Sequence, residues 1–190
     1  MGYGSNKDAN GEALKANGGS PILVGEKVKG NEFLSFDFKK NEESGEVDNT
    51  KVELKFKQSN GAIFTHTFMD GTEAWMIDKI NREALHIATK VMGEEEYVNA
   101  VGESESFQSW MQKVISVLSP KLTGKKFTLK IVYRISKKTG KGYPSFPGFP
   151  NFIELDGTTP STLSTNPKYD FYEAPTPVAA EEEKDTEEKF

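Results

Sequence analysis

TKVELKFKQSNGAIFTHTFM, residues 50–69, is the stretch that decides the fold. Val52, Leu54 and Phe56 alternate with Lys51, Glu53, Lys55 and Lys57, a two-residue period that gives a strand one apolar and one polar face. Ser59-Asn60-Gly61 follows, and Asn and Gly tolerate the positive φ of tight hairpin turns. Beyond it Phe64, His66 and Phe68 lie opposite Ile63, Thr65 and Thr67. The stretch predicts a hairpin of two strands, residues 50–58 and 62–69.

Outward from this hairpin the pattern continues on both sides. Upstream, Leu34, Phe36 and Phe38 alternate with Phe33, Ser35 and Asp37, predicting a strand over 32–39 that is joined to the hairpin by the polar connection NEESGEVDN, residues 41–49. Downstream, at Asp70, the period changes from two to 3.6. Asp70 and Glu73 are spaced as a capping pair, and Ala74, Ile77, Ile80, Ala84, Ala88 and Val91 recur at helical spacing until Gly93. A second amphipathic helix is expected from Ser104 to Ser119, its stripe made by Phe107, Trp110, Met111, Val114, Ile115 and Leu118 and its end set by Pro120. Met and aromatic residues at this spacing are core rather than a ligand box. A fourth strand over 125–135 places Phe127, Leu129, Ile131, Tyr133 and Ile135 on one face, with Lys126, Thr128, Lys130, Val132 and Arg134 on the other. A short fifth strand covers 151–155. Three strands, two helices and two strands form a mainly β chain with inserted helices, the element order of an OB-fold, a five-stranded Greek-key barrel. A half-open sheet backed by two helices has the same order.

The 190 residues read as a flexible arm over 1–20, one domain over 21–155, and an extended linker and disordered acidic tail over 156–190. Pro21–Val24 is a short apolar run expected to dock on the domain edge. Net charge is −5, and residues 173–190 hold seven acids (Glu173, Glu181, Glu182, Glu183, Asp185, Glu187, Glu188) against Lys184 and Lys189. The remainder has 22 basic and 22 acidic residues, so the whole negative excess belongs to those last eighteen.

Within the neutral part, charge is segregated. Lys121, Lys125, Lys126, Lys130, Arg134, Lys137, Lys138 and Lys141 occur between residues 121 and 141 with no Asp or Glu among them. Tyr143, Phe146 and Phe149 come next, in a segment broken by proline and glycine. Cations for phosphates beside flat rings for bases are what a single-stranded nucleic acid requires. The OB arrangement puts the loop after strand four, residues 136–150, at one wall of the binding groove. Candidate nucleic-acid contacts are therefore Lys55, Lys57, Lys126, Lys130, Arg134, Lys137, Lys138, Lys141, Tyr143, Phe146 and Phe149, with Phe127 and Tyr133 assigned to the core. The three rings of the loop either stack bases or fold back to cap the barrel.

The C-terminal EEEKDTEEKF, together with this element order, resembles the single-stranded-DNA-binding proteins of bacteriophages, which pair an OB-fold with an acidic tip ending in Phe. The resemblance covers about residues 30–155 by architecture and the last ten by sequence. It implies non-specific binding of single-stranded DNA in support of replication, recombination and repair. It also implies that Glu181, Glu182, Glu183, Asp185, Glu187, Glu188 and Phe190 recruit replication or recombination proteins and compete with DNA for the groove. Lys189 stands where bacterial members usually carry Pro. A phage-encoded member would act in the host cytoplasm.

Other classes find less support. Leu122-Thr123-Gly124-Lys125-Lys126 lacks the glycine spacing and the Ser or Thr of a phosphate-binding loop, and no G-x-S-x-G pattern occurs. Cys is absent, and His66 and His86 are the sole imidazoles, so neither a thiol nucleophile nor a metal or cofactor site is expected. No run approaches the length of a membrane span. The reading is non-enzymatic. The alternative is a phage-type structural or adaptor protein that uses the aromatic loop as a protein contact, and the second helix either braces the barrel or joins a homo-oligomer.

Overall fold

The computed structural model describes residues 20–136, 142–149 and 151–173. Their regular structure is six strands and three helices: β1 (Gly25–Lys40), β2 (Val47–Lys57), β3 (Ile63–Met69), α1 (Ala74–Ala88), α2 (Glu94–Val101), α3 (Phe107–Leu122), β4 (Lys126–Ile135), β5 (Gly142–Ser145) and β6 (Ile153–Leu155). All strand pairings are antiparallel, in the order β3-β2-β1-β4-β5, with β6 also on β4.

The hairpin forms as its alternation dictates. Leu54 pairs with His66 and Phe56 with Phe64 across the ladder, while Lys55 opposes Thr65 on the outer face. Gly61 turns the corner at φ 85°. Pro21 and Leu23 dock there: Gln58 exchanges hydrogen bonds with the Leu23 backbone, and Asn60 Nδ2 donates to the Pro21 carbonyl.

β1 is twice the expected length because residues 25–31 extend it. Its second half pairs with β2 and its first with β4, and Glu32 lies in both ladders, opposite Lys57 and Lys126. GEKVKGN carries no alternation because register shifts break the β4 pairing around Val28. Gly30 supplies a left-handed residue at φ 72°, and the buried Asn31 ties the irregular stretch by donating to the Val28 and Phe127 carbonyls.

Three helix expectations need correction. Glu73 is the N-cap of α1 and makes no side-chain cap bond, so the Asp70–Glu73 pair does not form; the first turn is exposed, Ile77 included. Residues 94–101, three glutamates opening a short segment, form α2, which was not expected. α3 starts one residue after Ser106, whose Oγ accepts from the Ser109 N–H, and it runs through Pro120 to Leu122. Continuing past the proline brings Leu118 and Leu122, both fully buried, onto the core face, and this burial outweighs one lost backbone bond.

The core lies between the sheet and the helices. Phe36, Leu54, Phe56, Phe64, Phe68 and Phe127 meet Met111, Val114 and Leu118 of α3. β5 lies against β3, and the ring of Phe146, just after β5, seats on Phe64 (5.0 Å) and His66 (4.8 Å).

Residues 156–173, expected as an extended linker tied down by the aromatic group Tyr169, Phe171 and Tyr172, are held against the domain. They cross β4 as a strap. Glu154 accepts from Ser161 Oγ (2.7 Å) and the Thr162 N–H (2.8 Å), Leu163 is buried, and the Tyr133 N–H donates to the Phe171 carbonyl (2.7 Å).

Candidate nucleic-acid interface

β4 was expected to present a row of cations outward, and the strap removes its middle. Lys130 is 5% exposed; its Nζ lies 2.6 Å from Asp170 Oδ2 and donates to the Ser164 carbonyl at 2.7 Å. Thr128 and Val132, on the same face, are buried as well. A buried ammonium must keep its partner, so Lys130 is withdrawn from any phosphate. Lys126 remains exposed at the other end of β4 and pairs with Glu32 at 3.4 Å. It stands eight residues from Arg134, about 26 Å along a strand. The continuous cationic track along β4 is therefore interrupted.

At the far end of β4 the arrangement is different. Arg134 pairs with Tyr143 of β5, so the two side chains share a face, and both are exposed. A Cβ on Gly148 would fall 2.5 Å from Arg134 Nη2, so the guanidinium lies directly against this glycine. Phe149, 59% exposed, is next in the chain and meets Tyr169 of the strap with ring centroids 5.4 Å apart. Lys168 Nζ sits 5.1 Å over the Tyr169 ring. Four segments thus bring two cations and three rings to one patch.

Tyr169 and Lys168 were not among the sequence candidates. The signal is the aromatic group Tyr169, Phe171 and Tyr172, which the sequence offers as a tie for the extended segment and not as a binding surface. Phe171 bridges Tyr133, which puts it on the face opposite Arg134 and Tyr143.

Phe146 resolves in favour of capping. It is 2% exposed, stacked on Phe152 at 4.4 Å, edge-on to Phe64 and tilted against His66, so it supports the loop from inside. His66 holds this position through a buried pair with Glu83 (3.2 Å), which also meets Lys79 at 3.0 Å. Burial pushes the Glu83 carboxyl up, but the His66 hydrogen bond and the charges of His66 and Lys79 outweigh it and hold the group below its usual range. His86 anchors the exit of the loop: its Nε2 accepts from the N–H groups of Asn151 (3.1 Å) and Phe152 (3.3 Å), where Asn151 takes a left-handed φ of 69°. Burial, with the Lys90 charge, lowers the His86 pKa to about 4, so the ring is neutral and free to accept.

On β2, Lys57 is exposed and makes no ion pair among the described residues, whereas Lys55 pairs with Glu53 at 2.9 Å. Exposed Ile63 of β3 lies opposite Lys57, and exposed Met69 lies opposite Lys51 at the other end of the ladder. Lys137, Lys138 and Lys141, and the tail residues Glu181, Glu182, Glu183, Asp185, Glu187, Glu188 and Phe190, lie outside the described residues.

Among the described residues no group of three or more His, Cys, Asp or Glu side chains is placed to hold a metal ion, and no helix is long and apolar enough to cross a membrane. Compared with protein-family models, curated proteins and solved structures, the chain gives no significant match.

Proposed function

We infer that the protein binds single-stranded DNA with little sequence preference, as the phage-type family it resembles does, and that its sheet is an OB barrel. Support for the barrel is the long β1, shared between β2 and β4, together with the approach of β5 to β3 through Phe146. One observation carries the binding role: the exposed patch of Arg134, Tyr143, Phe149, Tyr169 and Lys168, gathered from β4, β5, the turn after it and the strap. Rings accept any base, which gives affinity without a sequence code, and the cations neutralise phosphates. Lys55 and Lys57 of β2 are further proposed phosphate contacts, and the sequence adds Lys137, Lys138 and Lys141 between β4 and β5.

The acidic segment 181–190 takes the partner-recruiting role that the resemblance implies. Its tether supports competition with DNA. The strap carries the chain to Phe171, which bridges Tyr133 of β4, and the acidic segment begins ten residues later in the sequence. A short tether of this kind gives a local concentration on the order of mM.

The test is competition between oligo-dT and a duplex of equal length for the full chain. Preference for the single strand supports the reading, and preference for the duplex, or for neither, contradicts it.

A further inference from the structure

The neutral remainder of the chain hides a second segregation of charge. Residues 70–105 contain nine acids and three bases, a net of −6. This segment forms α1, α2 and the approach to α3; α3 itself adds Lys113 and Lys121 and no acid, which leaves residues 70–122 at a net of −4.

The same side holds a cavity of about 790 Å³ between the three helices. Its apolar wall is made by Ile77, Ile80, Leu85, Val98, Phe107 and Trp110, and Asp70, Glu103 and Glu105 also line it. The volume falls in the range of built binding sites, about 300–1,000 Å³. The lining residues Ile77 and Val98 are themselves exposed, 47% and 53%. Large apolar side chains gathered on one face of a soluble protein mark an interaction surface.

A second observation points to an occupant. Tyr97, 5% exposed, lines the cavity, and its hydroxyl is buried with no hydrogen-bond partner; the Ser104 hydroxyl, also in the lining, is in the same condition. An unmade buried hydrogen bond costs about 1–3 kcal/mol, so native interiors leave few. Burial raises the Tyr97 phenol, which stays protonated as a donor.

Charge selects among occupants. The acidic tail would bring like charge to Asp70, Glu103 and Glu105. A second copy packed face to face would do the same. Residues 1–20 balance Lys7 and Lys15 against Asp8 and Glu12 and offer few large apolar side chains. What complements the site is an apolar face flanked by cations.

We propose that the cavity between α1, α2 and α3 is a docking site for a basic amphipathic helix of a partner protein, its apolar side chains entering between Ile77, Val98 and Trp110 and its Lys or Arg side chains meeting Asp70, Glu103 and Glu105. The site shares no residue with the nucleic-acid patch, so it stands whether or not the protein binds DNA.

The probe is a fluorescein-labelled amphipathic peptide of about eighteen residues built of Leu and Lys at helical spacing. It is titrated into the full chain at physiological salt and compared with a Leu and Glu peptide of the same pattern. Because the acidic tail also attracts a cationic peptide, two double variants of equal net charge are compared. Glu103→Lys with Glu105→Lys changes the cavity rim, and Glu42→Lys with Glu43→Lys changes an exposed turn elsewhere. All four positions are exposed, so both variants should melt like the parent. The expected result is binding of the Leu and Lys peptide that the rim variant loses by about tenfold or more while the turn variant retains it. Ile77→Asp should lose it too. Equal loss in both charge variants, equal binding of the acidic peptide, no binding, or concentration-dependent dimerisation abolished by Ile77→Asp overturns the proposal.

Discussion

Arg134 on β4 and Tyr143 on β5 are cross-strand partners on one exposed face, and the Arg134 guanidinium lies against Gly148 just before Phe149. This pairing sets a cation beside an exposed ring, and the glycine it touches leads into a second exposed ring, an arrangement suited to a phosphate flanked by two bases.

Tyr143→Ala and Phe149→Ala should each weaken binding to oligo-dT by about 1–3 kcal/mol. Both rings are exposed, so the melting temperature should stay close to that of the parent. Fluorescence anisotropy with the parallel melt checks this. A large loss of stability with unchanged affinity would assign the rings to packing.

Phe146→Ala behaves in the opposite way. Its ring fills the space between Phe64, His66 and Phe152, and truncation should cost about 3–5 kcal/mol of stability. Urea denaturation measures it, and a change below about 1 kcal/mol would mean the ring is not the plug between β3 and the loop.

Lys130→Ala leaves Asp170 buried without its cation and should destabilise the fold by about 3–5 kcal/mol. Lys130→Met combined with Asp170→Leu should recover most of that. If Lys130→Ala instead lowers DNA affinity at full stability, Lys130 reaches the nucleic acid and the strap must lift.

His86 gives a pH signature. Its pKa is about 4 in the fold against 6.5 for the ordinary group, so between these values the unfolded chain binds a proton that the native state excludes. The associated stability is complete above pH 6.5 and is lost as pH falls to 4, about 3 kcal/mol in all. Urea midpoints at pH 7 and pH 4.5, compared with those of His86→Gln, isolate this share. Parallel curves for the two proteins would show that burial and Lys90 do not depress the ring.

The sequence carried the sheet well wherever one face is buried and the other wet. Val52, Leu54 and Phe56 of β2 are all buried, and its lysines are not. It failed where both faces are covered: β4 reads as half polar, yet Thr128 and Lys130 are buried because the strap, more than thirty residues later, supplies partners no local pattern announces. β5 escaped notice because four residues containing Gly142 and Pro144 carry no period, and α2 because a run of glutamates masks Tyr97 and Val101. The candidate site was legible in composition but not in detail. Arg134, Tyr143 and Phe149 are exposed together, Phe146 is structural, and Tyr169 and Lys168 join through a contact between distant segments.

The central claim is tested most directly by the salt dependence of oligo-dT binding. Four or five neutralised phosphates give a plot of log K against log salt with a slope of roughly −3 for a single strand. Deleting residues 181–190 should raise the affinity most at low salt. No measurable binding at low salt, with the tail present or deleted, would contradict the account.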